Sequence, residues 1–208
     1  MKKIIMTIAI IWGLGMNTFA QRSSHGPNLP IFGQSVDFEC TASLDNSLTV
    51  GWNWWSTYLD ITLADLEAAL GSNGVSIVSQ EGIVSYYEGL GWDGSFNTLS
   101  PSKMYRLQVE SDCSLELSGN AVNPAYHTIT LAPGINWIGF PVSQSMLISD
   151  ALQGFTPTIG DVIKTFNGMT TFIGSGWMGT FNTLDPGKGY IYYSNANEVK
   201  TFVFTSGR

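Results

Sequence analysis

Histidine and cysteine, the usual ligands of zinc, are rare in this sequence. The two histidines, His25 and His127, lie far apart in the chain, and the sequence contains no His-x-x-x-His or Cys-x-x-Cys pair. Zinc sites need several such ligands, and no acidic run has the spacing of a calcium-binding loop. We therefore expect no metal site and no cofactor.

Three carboxylates, Glu81, Glu88 and Asp93, are the best candidates for acid–base chemistry. A glycosidase would need two of them to converge on one bond in a cleft. The G-x-S-x-G turn of serine hydrolases does not occur in the sequence. We expect a protein that is not an enzyme, and keep a secreted hydrolase built on these carboxylates as a second alternative.

Two glycine-rich segments, residues 89–94 and 174–179, match the dinucleotide fingerprint G-x-G-x-x-G. That fingerprint requires a following helix whose N-terminus faces the pyrophosphate. A Thr-Leu-x-Pro sequence follows each segment instead. We interpret both as tight loops that fold a tryptophan over its own unit.

Aromatic residues make up 12% of the chain and are the strongest candidates for binding a ligand. Tryptophan and tyrosine are large, rigid and partly polar, and so serve as anchors. The candidate ligand-binding residues are Trp52, Trp55, Tyr58, Tyr86, Trp92 and Trp177. If binding is the function, Trp52, Trp55 and Tyr58 should form one exposed apolar patch.

These candidates must be positioned by a chain that repeats itself. Residues 91–107 and 176–192 are identical at ten of 17 positions, and residues 51–55 correspond to residues 134–138. Self-similarity of this kind indicates an internal duplication. Trp92 and Trp177 occur in both copies, which favours a role in the shared fold. Trp54 and Trp137 are also shared, and we predict that they belong to the core.

Each copy predicts the same elements. A strand around Trp54 or Trp137 is followed by a short helix, two strands, the Gly-Trp loop and a final pair of strands. Thr62 and Asp65 have capping-box spacing, and leucines 63, 66 and 70 share one helical face. Pro186–Gly187 predicts a type II turn. Two tandem units form the simplest architecture, and one pseudo-symmetric barrel is the alternative.

Residues 1–20 predict a secretory signal peptide cleaved after Ala20. Lys2 and Lys3 precede an apolar stretch that is too short to span a membrane. The full chain carries a net charge of −7, and removing both lysines makes it more acidic. Acidic chains repel phosphates and anionic lipids. We expect export to the periplasm, cell surface or medium, no nucleic-acid partner and no membrane insertion of the mature chain.

The two cysteines, Cys40 and Cys113, both fall in alternating apolar and polar segments, on the apolar side. That pattern is typical of half-buried strands. In an exported protein, two buried cysteines favour a disulfide. We predict a Cys40–Cys113 bridge, with two separate buried thiols as the alternative.

The second copy resembles a known type of module. The segments that carry the resemblance are residues 133–141 (PGINWIGFP), 160–164 (GDVIK) and 176–190 (GWMGTFNTLDPGKGY). They are similar to tandem modules of secreted and surface multidomain proteins from Bacteroidetes-type bacteria. The first copy departs from the pattern at Tyr58, Ser102 and Met104. The resemblance implies an extracellular accessory module and assigns no functional residue.

The sequence therefore predicts a mainly β (α+β) protein of two tandem, internally duplicated β-rich units, each with one short helix. The expected organisation is a signal peptide (1–20), an N-terminal segment with one strand (21–45), repeat unit 1 (46–118), a linker (119–124) and repeat unit 2 (125–205). The expected function is an exported, non-catalytic binding or adhesion module for a glycan or a surface protein. The first alternative is a structural spacer of a larger surface protein.

Overall fold

The computed structural model describes residues 41–205. These residues all belong to one compact unit, Phe38–Arg208. The predicted signal peptide and the strand predicted at residues 36–40 lie outside the described residues. Below, repeat 1 denotes β1 to β8 and repeat 2 denotes β9 to β17.

Repeat 1 contains eight strands and one helix. They are β1 (Thr41–Leu48), β2 (Gly51–Trp55), β3 (Leu59–Asp60), α1 (Leu63–Leu70), β4 (Gly74–Val78), β5 (Ile83–Tyr87), β6 (Gly91–Gly94), β7 (Tyr105–Val109) and β8 (Cys113–Ala121).

Repeat 2 has the corresponding elements in the same order, and several of them are shorter than in repeat 1. They are β9 (Ile129–Leu131), β10 (Gly134–Ile138), β11 (Met146–Leu147), α2 (Ile148–Ala151), β12 (Val162–Lys164), β13 (Met169–Phe172), β14 (Trp177–Gly179), β15 (Thr183–Leu184), β16 (Tyr190–Ser194) and β17 (Lys200–Phe202). The prediction of a mainly β fold is confirmed.

Each repeat is organised around one five-stranded antiparallel sheet. The strand order is β2-β7-β4-β5-β6 in repeat 1 and β10-β16-β12-β13-β14 in repeat 2. The two orders correspond strand for strand, so the duplication in the sequence reappears as two sheets of equal topology. In each five-stranded sheet, the strand that comes first in the chain, β2 or β10, lies at one edge.

A second strand pair closes each repeat by joining the segment before the sheet to the segment after it. In repeat 1, β1 pairs with β8 along their whole length, and β3 extends this pair. In repeat 2, β9 pairs with β17. The beginning and the end of each repeat are therefore neighbours.

The two helices differ in how well the sequence supports them. The predicted capping box of α1 is present: Asp65 N–H donates to Thr62 Oγ1 at 3.2 Å, and Thr62 N–H donates to Asp65 Oδ2 at 2.8 Å. Its leucines are buried in the core of repeat 1, as their spacing predicts. Helix α2 is four residues long and has no side-chain cap.

Two sequence predictions about loops are wrong. The Gly-Trp segments are edge strands, β6 and β14, that pair with β5 and β13. Residues 119–121 of the predicted linker belong to β8.

The predicted turn at Pro186–Gly187 forms, with Gly187 at φ 75° and Lys188 N–H donating to Asp185 C=O at 3.3 Å.

The repeats have separate hydrophobic cores and are joined by reciprocal main-chain hydrogen bonds. Ser56 N–H donates to Gly187 C=O, and its equivalent Gly139 N–H donates to Ser102 C=O. Likewise, Gly189 N–H donates to Trp54 C=O, and the equivalent bond runs from Met104 N–H to Trp137 C=O. Each repeat thus gives the other the same contacts, which defines a pseudo-twofold axis.

Met104 and Gly189 are equivalent residues that meet each other near this axis. Met104 is fully buried, and a Cβ added to Gly189 would overlap its Cγ. In the sequence, Met104 is one of the positions at which the first copy departs from the pattern. In the structure, this methionine fills the space that the glycine leaves open.

No helix among residues 41–205 is long and apolar enough to cross a membrane.

Candidate functional site

The reciprocal packing creates two related clefts along the junction of the repeats. Cleft 1 has a volume of about 330 Å³ and is bordered by β2 of repeat 1 and by two loops of repeat 2, which contain Phe166 and Lys188. Cleft 2 has a volume of about 430 Å³ and is bordered by β10 and by the equivalent loops of repeat 1, which contain Gln80 and Lys103. The clefts are equivalent in position and differ in side chains.

Cleft 1 is the more aromatic of the two. Trp52, Trp54 and Phe166 line it, and the rings of Trp54 and Phe166 meet edge to face with centroids 6.0 Å apart. Phe166 is 59% exposed and remains available to a ligand. The guanidinium of Arg106 lies 4.9 Å from the Trp52 ring centroid and steadies that ring by a cation–π contact.

Two buried polar atoms in the walls of cleft 1 have no partner among the described residues. They are Asn46 Oδ1, an acceptor, and Trp55 Nε1, a donor. Asn46 is 7% exposed and Trp55 1% exposed. Leaving a buried polar group unpaired costs about 1–3 kcal/mol. Such groups are uncommon in folded proteins and favour a site that a ligand or water completes.

Tyr190 also borders cleft 1, as a neutral phenol. Burial raises the pKa of Tyr190. The Asp185 N–H, which donates to the hydroxyl oxygen at 2.6 Å, lowers this pKa by a smaller amount. The negative charge of Asp185 contributes a smaller rise in the same pKa. Tyr190 therefore acts here as a structural hydrogen-bond acceptor.

In cleft 2, the exposed edge of β10 is capped by a side chain of the protein itself. The Gln80 carboxamide donates from Nε2 to Ile135 C=O at 3.0 Å and accepts at Oε1 from Trp137 N–H at 2.7 Å. Lys103 pairs with Glu81 at 2.5 Å beside it. These polar contacts occupy the main-chain edge of β10, while the rest of cleft 2 stays open.

In cleft 1, the same edge has no such cap. Trp54 C=O accepts from Gly189, so Trp54 faces away from β7, and strand alternation turns Trp54 N–H and Trp52 C=O in that direction too. Phe166 occupies the position of Gln80 and has no side-chain polar atom. Within the described part of the chain, no side chain hydrogen-bonds to Trp54 N–H or Trp52 C=O, and Lys188 has no acidic partner.

The predicted exposed patch of Trp52, Trp55 and Tyr58 does not exist. Trp55 packs into the core beside Tyr105, and Tyr58 is 6% exposed with its hydroxyl donating to Ser43 C=O at 2.6 Å. Trp52 is half-buried in cleft 1. Alternation along β2 explains the difference, because Trp52 and Trp55 lie on opposite faces of the strand.

The remaining aromatic candidates lie away from the clefts. Trp92 packs against the core of repeat 1, close over Gly74, and contacts Tyr86 edge to face. Trp177 packs against the core of repeat 2 and lies near Tyr192. These positions agree with the interpretation of the shared tryptophans as parts of the common fold. Tyr86 is 38% exposed.

The carboxylates considered for hydrolysis are not brought together in one cleft. Glu81 borders cleft 2 and pairs with Lys103, while Asp93 borders a small groove beside Trp92. Among residues 41–205, no group of three or more His, Cys, Asp or Glu side chains could hold a metal ion.

The register of β1 and β8 argues against the predicted disulfide. Cys113 is a free thiol opposite Leu48, whereas Thr41 lies opposite Asn120 at the far end of the pair. Cys40 itself lies outside the described residues. Seven residues of strand span about 23 Å, and a disulfide requires Cα atoms within about 7 Å.

Sequence reasoning missed most of the residues that form cleft 1. Trp54 was expected in the core because both copies contain it, yet it is half-buried at the junction. Nothing in the sequence around Asn46 or Phe166 marks either residue as part of a binding site. The replacement of Gln80 by Phe166 between the two copies was a usable signal, because it removes an amide at one of two equivalent positions.

Comparisons with protein-family models, curated proteins and solved structures find no match for this chain.

Proposed function

We propose that this protein is an exported, non-catalytic binding module that holds a carbohydrate in cleft 1. The observation that carries the proposal is the combination, in one cleft, of three partly exposed aromatic rings with polar groups that have no side-chain partner among the described residues: Trp54 N–H, Trp52 C=O and the Lys188 ammonium. Sugars match this combination, since their rings have apolar C–H faces and their hydroxyls both donate and accept hydrogen bonds. Trp and Tyr anchors beside a few convergent polar groups are typical of small-molecule sites.

The size of cleft 1 favours a short glycan segment over a protein surface. Its volume of about 330 Å³ lies near the lower end of the range of small-molecule sites, about 300–1,000 Å³. A protein partner would bury roughly 800 Å² on each side in a standard interface. One or two sugar rings suit the enclosed part of cleft 1 better.

The predicted signal peptide supports this function, because glycans are abundant outside the cell. The alternative of a structural spacer is favoured by the burial of Trp55 and Tyr58, which removes the large aromatic patch expected from the sequence. The spacer proposal requires that cleft 1 bind nothing.

Affinity electrophoresis against a panel of host and plant polysaccharides tests the proposal. We expect retardation by at least one glycan, and about tenfold weaker binding for Trp52→Ala and Trp54→Ala because each removes an aromatic face. The matched control is Ile135→Ala, which changes the equivalent of Trp52 in repeat 2. Absence of retardation by every glycan would favour the spacer.

A further inference from the structure

The two clefts lie at equivalent positions in the two repeats. The hydrogen bonds made at the strand edge in cleft 2 therefore show which partner is missing at the strand edge in cleft 1. In cleft 2, a carboxamide occupies the edge of β10 and uses its N–H and its C=O at the same time. In cleft 1, Phe166 stands at the position of Gln80 and offers no polar atom to the equivalent main-chain donor and acceptor of β2. The missing group therefore has a known shape: a planar amide with one donor and one acceptor.

From this difference we infer that cleft 1 recognises the acetamido group of an N-acetylated sugar. The acetamido C=O accepts from Trp54 N–H, and its N–H donates to Trp52 C=O, as the Gln80 amide does with Trp137 and Ile135. This inference rests on the proposed function, and names the class of sugar that the same cleft binds.

The surroundings of this edge fit the rest of an N-acetylhexosamine. Phe166 offers an apolar surface to the acetyl methyl group or to a sugar face. Asn46 Oδ1 and Trp55 Nε1, the unpaired acceptor and donor, lie beneath the surface of the cleft walls. Lys188 and Asn167 stand where Lys103 and Glu81 neutralise each other in cleft 2, so the Lys188 ammonium is free to donate to a ligand.

An extended peptide also presents amides, but the geometry of β2 favours the sugar. A peptide added to a sheet edge uses a row of main-chain groups along the strand. At β2, Gly189 already occupies Trp54 C=O, and Lys188 bridges Trp55, so the free stretch is short. One amide fits this stretch, and a cleft with three aromatic rings suits a ring better than an extended chain.

The test compares two disaccharides, one of which carries acetamido groups where the other carries hydroxyls. Calorimetric titration of the protein with N,N′-diacetylchitobiose and with cellobiose isolates the acetamido group, which replaces a hydroxyl. We expect the acetylated sugar to bind about tenfold more tightly, since two hydrogen bonds are gained. In ¹⁵N-labelled protein, the main-chain amide signal of Trp54 should shift with diacetylchitobiose and much less with cellobiose.

Two variants provide the controls. Phe166→Gln should place an amide at the edge of β2, as Gln80 does in cleft 2, and abolish the preference for the acetylated sugar. Gln80→Ala frees the main-chain edge of β10 in cleft 2 and should leave binding in cleft 1, followed by the amide signal of Trp54, unchanged. Thermal denaturation of both variants checks that they fold.

The outcomes separate this inference from the proposed function. Equal affinity for the two disaccharides overturns the inference while the module remains a glycan binder. If neither disaccharide nor any glycan of the panel binds, both proposals fail. Tighter binding of an N-acetylated, C-amidated trialanine peptide than of diacetylchitobiose would overturn the sugar in favour of an extended peptide.

Discussion

At the scale of single residues, the pair Met104 and Gly189 shows how the junction is packed. The two residues occupy equivalent positions, and the side chain of one takes the space that the other leaves empty. Interiors packed at crystal-like density respond to the addition of one methyl group. The free energy of unfolding should therefore depend on the two positions jointly.

We expect Gly189→Ala to lower the free energy of unfolding by about 1–3 kcal/mol, because the new Cβ meets Met104 and lies near the Trp55 carbonyl oxygen. Adding Met104→Ala should relieve part of this clash, giving a coupling energy of about 1 kcal/mol. Urea denaturation of the two single variants and the double variant measures it. Strict additivity would show that the two positions are independent.

Residues of cleft 1 mark the limit of what the sequence predicts. The leucines of α1 and the Thr62 capping box are local patterns, and both are confirmed. Asn46 and Phe166 meet only because two distant segments fold against each other. Neither periodicity nor spacing tells which face of β2 will look toward the other repeat. Trp54, predicted in the core, is half-buried at the junction, and Trp55, expected in an exposed patch if the protein binds a ligand, is buried.

At the scale of elements, the long pair of β1 and β8 fixes which residues can meet. Its register runs without interruption from Thr41 opposite Asn120 to Leu48 opposite Cys113. The alternation that suggested two buried cysteines reports only the face on which a side chain lies. Position along the strand comes from the pairing, which the sequence does not specify.

From this register we predict two free thiols per chain. A thiol-reactive reagent should label both Cys40 and Cys113 in denatured protein that has not been reduced. Reduced protein serves as the positive control. Labelling that appears only after reduction would mean that a disulfide forms after all.

The strand order was predictable only in part. The sequence predicted a strand around Trp54 or Trp137, two strands after each helix and a final pair, and these correspond to β2, β4, β5, β7 and β8 in repeat 1 and to β10, β12, β13, β16 and β17 in repeat 2. It assigned the Gly-Trp segments to loops, because glycine usually marks a turn. In the structure, Gly94 and Gly179 instead allow β6 and β14 to approach the neighbouring strand, where an added Cβ would collide with the main chain.

At the scale of the whole molecule, both repeats bury tyrosines in or beside their cores. Burial is the largest cause that raises the pKa of Tyr58, Tyr105, Tyr190 and Tyr192. For Tyr192, the hydrogen bond that its hydroxyl donates to Asp161 at 2.5 Å adds to the rise. These phenols resist ionisation as long as the protein stays folded.

The sign of the pH dependence follows from these shifts. Each folded-state pKa lies above the unfolded value near 10, so the stabilisation is complete below that pH and is lost as the pH rises beyond it. We expect the free energy of unfolding to fall above about pH 10. Phenolate absorbance of the native protein should report fewer than the eight tyrosines of the sequence until unfolding occurs.

Denatured protein supplies the control, in which all tyrosines should ionise together near their ordinary pKa. A native titration curve that coincides with the denatured one would contradict the prediction. Equal stability on both sides of pH 10 would do so as well.

The reciprocal hydrogen bonds between the repeats also bear on what two copies joined in one chain can do. A single repeat pairing with an identical copy would place the same residue on both sides of a true twofold axis. Methionine facing glycine there requires two copies that differ in sequence, as the two repeats of this chain do. The same difference places Gln80 on the edge of β10 and Phe166 beside the edge of β2. A pair of repeats joined in one chain can therefore keep its reciprocal contacts and still present two clefts with different linings.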